Sequence, residues 1–358
     1  DLSENTFLLV WTTTPWTLPS NLGLAVGRDF DYVLMEENDC NYILLASRLD
    51  AVFPHKKDEK PSYRIVKNLK GSDLEGLLYE PIFPYFSHLK AEEDGKAKDG
   101  SVGCFRVMCG SFVTTEDGTG VVHMAPGFGE DDSALCKSYG LPTVCPVDAE
   151  CKFTKEVPEY QGVFVKKADK EIIERLKNEG KLFKKDTILH SYPHCWRCSS
   201  PLIYRAVESW FVKVTKIKET MLRVNDEIHW QPAHIKNGRF GKWLEGARDW
   251  AISRNRYWGC PIPIWKCKEC GKLHCVGSRS ELEKLSGKKV EDLHKHFVDD
   301  ITFPCKKCGS PMHRISEVLD CWFESGAMPY AQNHYPFENK ENFGELFPAD
   351  FISEGIDQ

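Results

Sequence analysis

Seven stretches of this sequence carry side chains that could do chemistry. The most specific is Cys267-Lys268-Glu269-Cys270-Gly271 with Cys305-Lys306-Lys307-Cys308-Gly309, two C-x2-C-G units separated by 34 residues. Each unit offers two thiolates one ligand bite apart, and its glycine lets the backbone turn over a metal. The spacing therefore predicts a closed, tetrahedral four-thiolate zinc site with a structural role. His274 and Cys275 are alternative ligands. Cys195-Trp196-Arg197-Cys198 is a third pair without a mate, open to reading as half a metal site, a redox pair or plain thiols. In Gly118-Thr119-Gly120-Val121-Val122-His123-Met124-Ala125-Pro126-Gly127-Phe128-Gly129-Glu130-Asp131-Asp132, a strand carries His123 into a Pro/Gly turn that opens a helix with acidic first residues. Carboxylates there are stabilised by the helix dipole and can cap it, which accounts for one of Asp131 and Asp132. The Gly127-Phe128-Gly129 turn also lets backbone approach a ligand closely beside an imidazole and a carboxylate. Trp11-Thr12-Thr13-Thr14-Pro15-Trp16 gathers three hydroxyls where an apolar run ends. Threonine is common in strands, so this cluster alone is more often structural. Asp320-Cys321-Trp322-Phe323-Glu324-Ser325-Gly326 and Glu354-Gly355-Ile356-Asp357-Gln358 set acids before glycines, a pattern of low specificity that suits a nucleotide or amine contact in an α/β sheet.

The elements that must hold these groups differ along the chain. Residues 1 to about 185 read as β-rich with a few helices. Phe7–Thr14 predicts a buried strand stopped by Pro15, with Thr12 and Thr14 on one face and Trp11 and Thr13 on the other. Tyr32–Glu36, Asn41–Ala46, Tyr63–Val66, Phe105–Thr114 and Gly120–Met124 predict further strands. Asp131–Tyr139 and Ala168–Asn178 predict helices stopped by Gly140 and Gly180. After about residue 188, cysteine pairs, tryptophans and Pro-rich turns dominate, with helical stretches at Glu281–Leu285 and Glu291–His296 inside a cysteine-bounded insert.

Bulk composition narrows the class. The 358 residues suffice for two or three domains, and 41% hydrophobic with 28% charged residues is the balance of a soluble globular protein. The N-terminal stretch lacks a basic region and a long apolar run, so neither a signal peptide nor a membrane span is expected. Fifteen cysteines, several in C-x2-C pairs, point to thiols and metal in a reducing cytosol. The net charge of -6 does not advertise a nucleic-acid partner. From Arg205 to Arg256, however, eleven Lys/Arg stand against six Asp/Glu, interleaved with Trp210, Phe211, Trp230, Phe240, Trp243, Trp250, Tyr257 and Trp258. Such a run can track phosphates and stack on bases, although an inward aromatic stripe under solvated charges is the commoner use.

Together the motifs resemble the isoleucyl branch of the class I aminoacyl-tRNA synthetases, over essentially the whole chain. WTTTPWTLPSN and GTGVVHMAPGFGEDD resemble the two signatures of that family's inserted editing (CP1) domain. SYPHCWRC, RDWAISRNRYWGCPIP, DCWFESG and EGIDQ resemble its path back into the catalytic domain. The leucyl and valyl enzymes carry arginine in place of Thr14, and the family often carries histidine in place of Phe128. The resemblance implies an α+β fold: a β-rich, barrel-like editing domain over 1–188, a return segment over 189–260, a zinc-binding insert over 261–316 and part of a Rossmann-type catalytic domain over 317–358. No HIGH-type motif is found, and Lys284-Leu285-Ser286-Gly287-Lys288 lies in the wrong place to be the KMSKS loop. The expectation is a fragment of an isoleucine-tRNA ligase that does not itself activate isoleucine, ATP and Mg2+ serving only the full-length enzyme.

By the same resemblance the implied activity is hydrolysis of mischarged Val-tRNA(Ile), with tRNA(Ile) as partner, a cytoplasmic location and a monomeric state. Thr12, Thr13 and Thr14 would hold the substrate or the attacking water, and Asp132 would pair with its α-ammonium. His123 would wall the side-chain pocket, with Trp11, Asn21 and Gly127 around it. Trp322 resembles a residue packing against isoleucine in the synthetic site, and Glu354, Asp357 and Gln358 resemble contacts to the adenylate. The mate of Cys195 and Cys198 would come from cysteines upstream. Two rivals are a non-catalytic, zinc-containing tRNA-binding module and a zinc-dependent nucleobase deaminase, whose ligand, glutamate and PCxxC pattern Cys267, Glu269 and Pro304–Cys308 imitate.

Overall fold

The computed structural model describes residues 5–55, 60–92, 94–187 and 191–355. They divide into two compact units, Asp1–Val207 and Glu208–Gln358. Strands and helices mix without regular alternation, giving an α+β chain. The expected boundary near 188, together with Asp357 and Gln358, lies outside the described residues. Among the described residues no helix is long and apolar enough to cross a membrane.

The first unit contains strands β1 (Thr6–Leu8), β2 (Gly23–Val26), β3 (Asp31–Glu37), β4 (Cys40–Leu45), β5 (Arg64–Lys70), β6 (Arg106–Cys109) and β7 (Val121–Met124). They form a four-stranded sheet in the order β1-β4-β3-β5 and a three-stranded sheet in the order β6-β2-β7. Tyr32, Val33, Leu34 and Met35 of β3 are all buried, so that strand packs on both faces and reads as a continuous apolar run. β2 is the central strand of the second sheet, parallel to β6 and antiparallel to β7, with Leu24 opposite His123. Its short GLAV sequence gives little strand signal, and a Cβ at Gly23 would meet the Met108 Cε at 2.6 Å. Helix α1 (Glu130–Ser138) follows the Pro/Gly turn, and α2 (Val165–Asn178) buries Val165, Ala168, Ile172 and Leu176, a single face at helical spacing.

The predicted strand Phe7–Thr14 is interrupted. Pairing with β4 ends at Leu8, and the chain then touches β7 through a single bridge, Trp11 to Val122. Residues 12–14 turn, because the Thr12 hydroxyl takes the Thr14 N–H at 3.0 Å and Pro15 opens a 3-10 helix, Pro15–Ser20. A local side-chain hydrogen bond here outcompetes the β propensity of the threonines. The strand predicted over Phe105–Thr114 is likewise shortened to β6.

In the second unit, β8 (Phe211–Val212) pairs with β9 (Trp250–Ala251), and β10 (Ser253–Arg254) pairs further along the chain. Helices α3 (Lys218–Glu227) and α4 (Arg239–Glu245) lie between β8 and β9 in sequence. A four-stranded sheet follows, from β11 (Ile264–Cys267), β12 (Leu273–Cys275), β13 (Phe303–Pro304) and β14 (Pro311–Arg314), in the order β12-β11-β14-β13. Helix α5 (Arg279–Ser286) sits between β12 and β13, with the Ser278 hydroxyl accepting the Glu281 N–H at its start and Gly287 left-handed at its end. The chain then forms β15 (Val318–Leu319), antiparallel to β10, and α6 (Cys321–Ala331), capped by Asp320. Among the described residues, every strand pair in this unit is antiparallel.

Candidate active site and metal centre

Because residues 12–14 turn, the threonine hydroxyls are not arranged as strand alternation would have them. Thr12 is engaged with the Thr14 backbone, while Thr13 Oγ1 and Thr14 Oγ1 lie 3.4 Å apart and Thr13 is exposed. Thr13 and Thr14 are the two whose hydroxyls are described only against each other. Trp11 is half-buried against Gly118, where a Cβ would lie 2.7 Å from the indole and φ is +66°.

A chain of buried hydrogen bonds ties this loop to His123. Tyr79 donates its hydroxyl to Asn21 Oδ1 at 2.5 Å. Asn21 Nδ2 donates to the Gly23 carbonyl at 2.9 Å and to His123 Nδ1 at 2.8 Å. Since Nδ1 accepts, Nε2 carries the proton and donates to Thr17 Oγ1 at 3.1 Å. The Thr17 hydroxyl in turn donates to the Thr14 carbonyl at 2.8 Å. Burial pushes the His123 imidazole down to about 4, and the Thr17 contact opposes this only in part, so the ring is neutral at pH 7. Asn21 thus orients the imidazole directly and reaches the threonine loop only through it. Both His123 nitrogens are taken, and the ring is buried.

Asp132 stands in the first turn of α1 but does not cap it; the N-cap is Gly129. Its Oδ1 accepts the Ala125 N–H at 2.8 Å and closes the Pro/Gly turn. Burial raises its carboxyl above the ordinary value, opposed by that N–H. Neither glycine of the turn has a positive φ, and at Gly127 backbone contact excludes a side chain. A Cβ at Gly127 would lie 2.2 Å from the Val144 carbonyl oxygen, and one at Gly129 would lie 2.3 Å from Asp132 Oδ2. Asp131 is exposed.

Two partners of the site carried no signal in the sequence. Tyr79 is 58 residues from Asn21, and Asp169 of α2 is 153 residues from Trp16, whose N–H its carboxylate accepts at 2.9 Å. Thr17 was within view, three residues beyond the threonine run, and its separation from Thr14 is that of one helical turn.

The four cysteines of the insert converge. The turn Cys267–Lys272 joins β11 to β12, the turn Cys305–Ser310 joins β13 to β14, and pairing of β11 with β14 sets the two turns side by side. All four Sγ atoms lie within 4.8 Å of one another, with separations of 3.5 Å for Cys267–Cys308 and 3.6 Å for Cys270–Cys305. Tetrahedral zinc with Zn–S bonds of about 2.3 Å would hold its sulfurs about 3.8 Å apart, so this set fits the ion with little movement. Gly271 and Gly309 adopt the positive φ, 68° and 78°, that the turn needs. Hydrogen bonds from Ser310 hold the Cys308 thiol down at about 6, toward the thiolate a metal requires. His274 instead faces Glu281 at 3.1 Å, and neither it nor Cys275 nor Glu269 joins the cluster.

Cys195-Trp196-Arg197-Cys198 has the same backbone. In all three turns the first cysteine donates its N–H to the carbonyl five residues on, at 2.8–2.9 Å, and its carbonyl accepts from the fourth residue beyond it, at 2.8–3.0 Å. Ser199 occupies the glycine position with φ of 55°. Trp322 is 51% exposed, and Glu354 is exposed and accepts the Gly355 N–H at 3.3 Å.

A family model for tRNA synthetases class I (I, L, M and V) matches residues 35–358. The whole chain is similar to the isoleucine–tRNA ligases of Treponema denticola, at 69% identity, and Treponema pallidum, at 57%, spanning 32% of each. Over 99% of the chain it is 54% identical to the isoleucine–tRNA ligase of Chlamydia pneumoniae, spanning 33% of it. The chain thus covers about a third of the length of these relatives. Among solved structures, the P. knowlesi cytosolic leucyl-tRNA synthetase editing domain is similar at 11% identity over 49% of this chain and 82% of that one, with a TM-score of 0.33, too distant to bear on the fold.

Proposed function

This chain belongs to the class I tRNA synthetase family (I, L, M and V), and from that premise we propose that its first unit is an editing hydrolase that removes valine from mischarged tRNA(Ile). The observation that carries the reading is the hydrogen-bond chain joining the threonine loop to His123, with the turn closed by Asp132 following directly in sequence. The need for such an activity is physical. A pocket built for isoleucine cannot strongly reject a side chain one methylene smaller, a limit for which the aminoacyl-tRNA synthetases are themselves the standard case, and a second sieve removes the error.

Any aminoacyl ester presents an α-ammonium, and the Asp132 carboxylate, fixed through Ala125, is its partner. Thr13 and Thr14 hydroxyls hold the water that attacks the ester carbonyl. The attack forms a tetrahedral oxyanion, which collapses as the C–O bond to the ribose breaks; the proton given up by the water ends on the ribose oxygen, and valine and tRNA are released. The carbon face of His123, rigid because both nitrogens are bonded, closes the side-chain pocket against isoleucine. The ester is already activated, so positioning alone supplies the rate and no protein nucleophile is needed. Cys267, Cys270, Cys305 and Cys308 would hold a structural zinc, which when bound cross-links two β-turns and, with four thiolates, offers no open position. Cys195 and Cys198 would share a second ion with thiols from elsewhere in a longer protein, the same protein in which Trp322 and Glu354 would meet isoleucine and its adenylate.

The test is deacylation of Val-tRNA(Ile) and Ile-tRNA(Ile) by this chain without ATP, beside Asp132→Asn. That substitution keeps an oxygen for Ala125 and removes only the charge. Loss of valine alone, abolished in the variant, is expected. RNA binding without hydrolysis would favour the non-catalytic module, and equal cleavage of both esters would refute size exclusion by His123.

A further inference from the structure

The 3-10 helix Pro15–Ser20 fixes the threonine loop at its downstream end, and its first turn takes a partner from outside. Pro15 has no N–H, and the Thr17 N–H returns to the Thr14 carbonyl at 3.1 Å, so the Trp16 N–H is the donor left over. The N-cap residue, Thr14, makes no side-chain cap. The Asp169 carboxylate, 153 residues away on α2, accepts the Trp16 N–H at 2.9 Å. Trp16 is 2% exposed, and a buried N–H without an acceptor would be costly. Its indole Nε1 has no hydrogen-bond partner among the described residues, so this backbone bond and packing are what hold it.

Trp16 also joins the parts of the candidate site to one another. It follows Thr12–Thr14 after a single proline. Its ring meets Phe128 of the Pro/Gly turn edge-on, with centroids 4.9 Å apart and planes 74° apart. Trp16 and Leu18 share one core cluster with Val165, Ala168, Ile172 and Leu176, the buried face of α2. Lys166, one turn before Asp169, sets its ammonium 5.8 Å from the Trp16 ring centroid and 4.6 Å from that of Tyr192. Burial raises the Asp169 carboxyl above the ordinary carboxylate value, opposed by the Trp16 N–H and the Lys166 charge. The His123 network reaches the loop at the Thr14 carbonyl. Asp169 reaches it two residues further on, from α2, and through Trp16 and Phe128 the same contact bears on the turn that Asp132 closes.

We propose that Asp169 is a positioning residue for the ester hydrolysis assigned to the first unit. Held from α2, the Trp16 backbone fixes the hydroxyls of Thr13 and Thr14 relative to the turn closed by Asp132, and so fixes the water relative to the ester. In this role Asp169 touches neither substrate nor water and acts through Trp16. The role rests on the hydrolase reading; the coupling of α2 to the loop and the turn does not.

The experiment is steady-state deacylation of Val-tRNA(Ile) by the 358-residue chain and its variants, with thermal melting and amide NMR on the same samples. Asp169→Ala is expected to lower kcat roughly ten- to hundredfold with KM unchanged, the effect of a misplacement of about 1 Å. Asp169→Asn keeps an oxygen for the Trp16 N–H and is expected to recover most of the rate. Asp169→Glu moves the acceptor by one methylene; it should lower kcat by less, and it reads the same placement if the alanine variant does not fold. Leu176→Ala opens the same core about two turns further along α2, and should melt at least as early as Asp169→Ala yet turn over as the parent does. An unchanged kcat in Asp169→Ala, an asparagine variant as slow as the alanine one, or an equal loss in Leu176→Ala overturns the proposal. Amide signals keep the two readings apart. Asp169→Ala should speed hydrogen exchange at the Trp16 N–H and shift the signals of Thr13, Thr14 and Phe128, with Asp169→Asn restoring them. A parent that hydrolyses no ester while these shifts occur sinks the hydrolase and leaves the coupling, whereas shifts confined to Trp16 sink the coupling whatever the parent hydrolyses.

Discussion

Replacing Thr17 by valine removes one hydroxyl from the joint between His123 and the threonine loop. Valine keeps the β-branched shape, so the backbone of the 3-10 helix has no steric reason to move. What disappears is the acceptor for His123 Nε2–H and the donor to the Thr14 carbonyl, at 3.1 and 2.8 Å. The imidazole N–H is then stranded in a buried site, which costs about 1–3 kcal/mol, and the second bond adds about 0.5–1.5 kcal/mol. A total of about 1.5–4.5 kcal/mol should appear in urea unfolding followed by near-ultraviolet circular dichroism. Hydrolysis should fall as well, because the loop carrying Thr13 and Thr14 loses its tether. Nitrogen-15 chemical shifts of the imidazole provide the independent reading: the parent should show Nε2 protonated and Nδ1 bare. A loss below about 0.5 kcal/mol, or a parent ring protonated on Nδ1, would refute the network as drawn.

Three further outcomes follow from the same geometry. The His123 imidazole, depressed by burial from 6.5 to about 4, is protonated in the unfolded chain before it is in the folded one. Stability from this group is therefore complete above pH 6.5 and is lost as pH falls toward 4, by about 3 kcal/mol in all, and His123→Gln should flatten that acid limb in pH-dependent denaturation. Gly127→Ala drives a Cβ to 2.2 Å from the Val144 carbonyl, a backbone atom that cannot swing aside, so a cost of at least about 1–3 kcal/mol and a loss of ester hydrolysis are expected in parallel melting and deacylation assays. X-ray absorption on zinc-loaded protein should show four sulfur neighbours near 2.3 Å, and chelation should loosen the sheet of β11 to β14 in hydrogen exchange while sparing the Tyr79–His123 network; a nitrogen or oxygen in the coordination shell would contradict the four-cysteine set.

What the sequence alone determined here is local chemistry. Two C-x2-C-G units imply a metal cluster because ligand spacing and the glycine after each pair are properties of a few consecutive residues, and the four thiols do converge. The acidic start of α1, most of helix α2 and strand β3 were legible for the same reason, since helical and strand signals are written in neighbours. Tertiary structure decided the rest. Side-chain competition turned Thr12–Thr14 out of a strand that propensity favoured, and changed which hydroxyls face outward. β2 is central although its four residues carry little β signal, because its place comes from pairing with β6 and β7 rather than from its own preference. Tyr79 and Asp169 entered the candidate site from 58 and 153 residues away. A hydrogen bond over such a distance depends on where the sheets set two backbones, and on the cost of leaving a buried polar group unpaired, neither of which is written in the residues nearby.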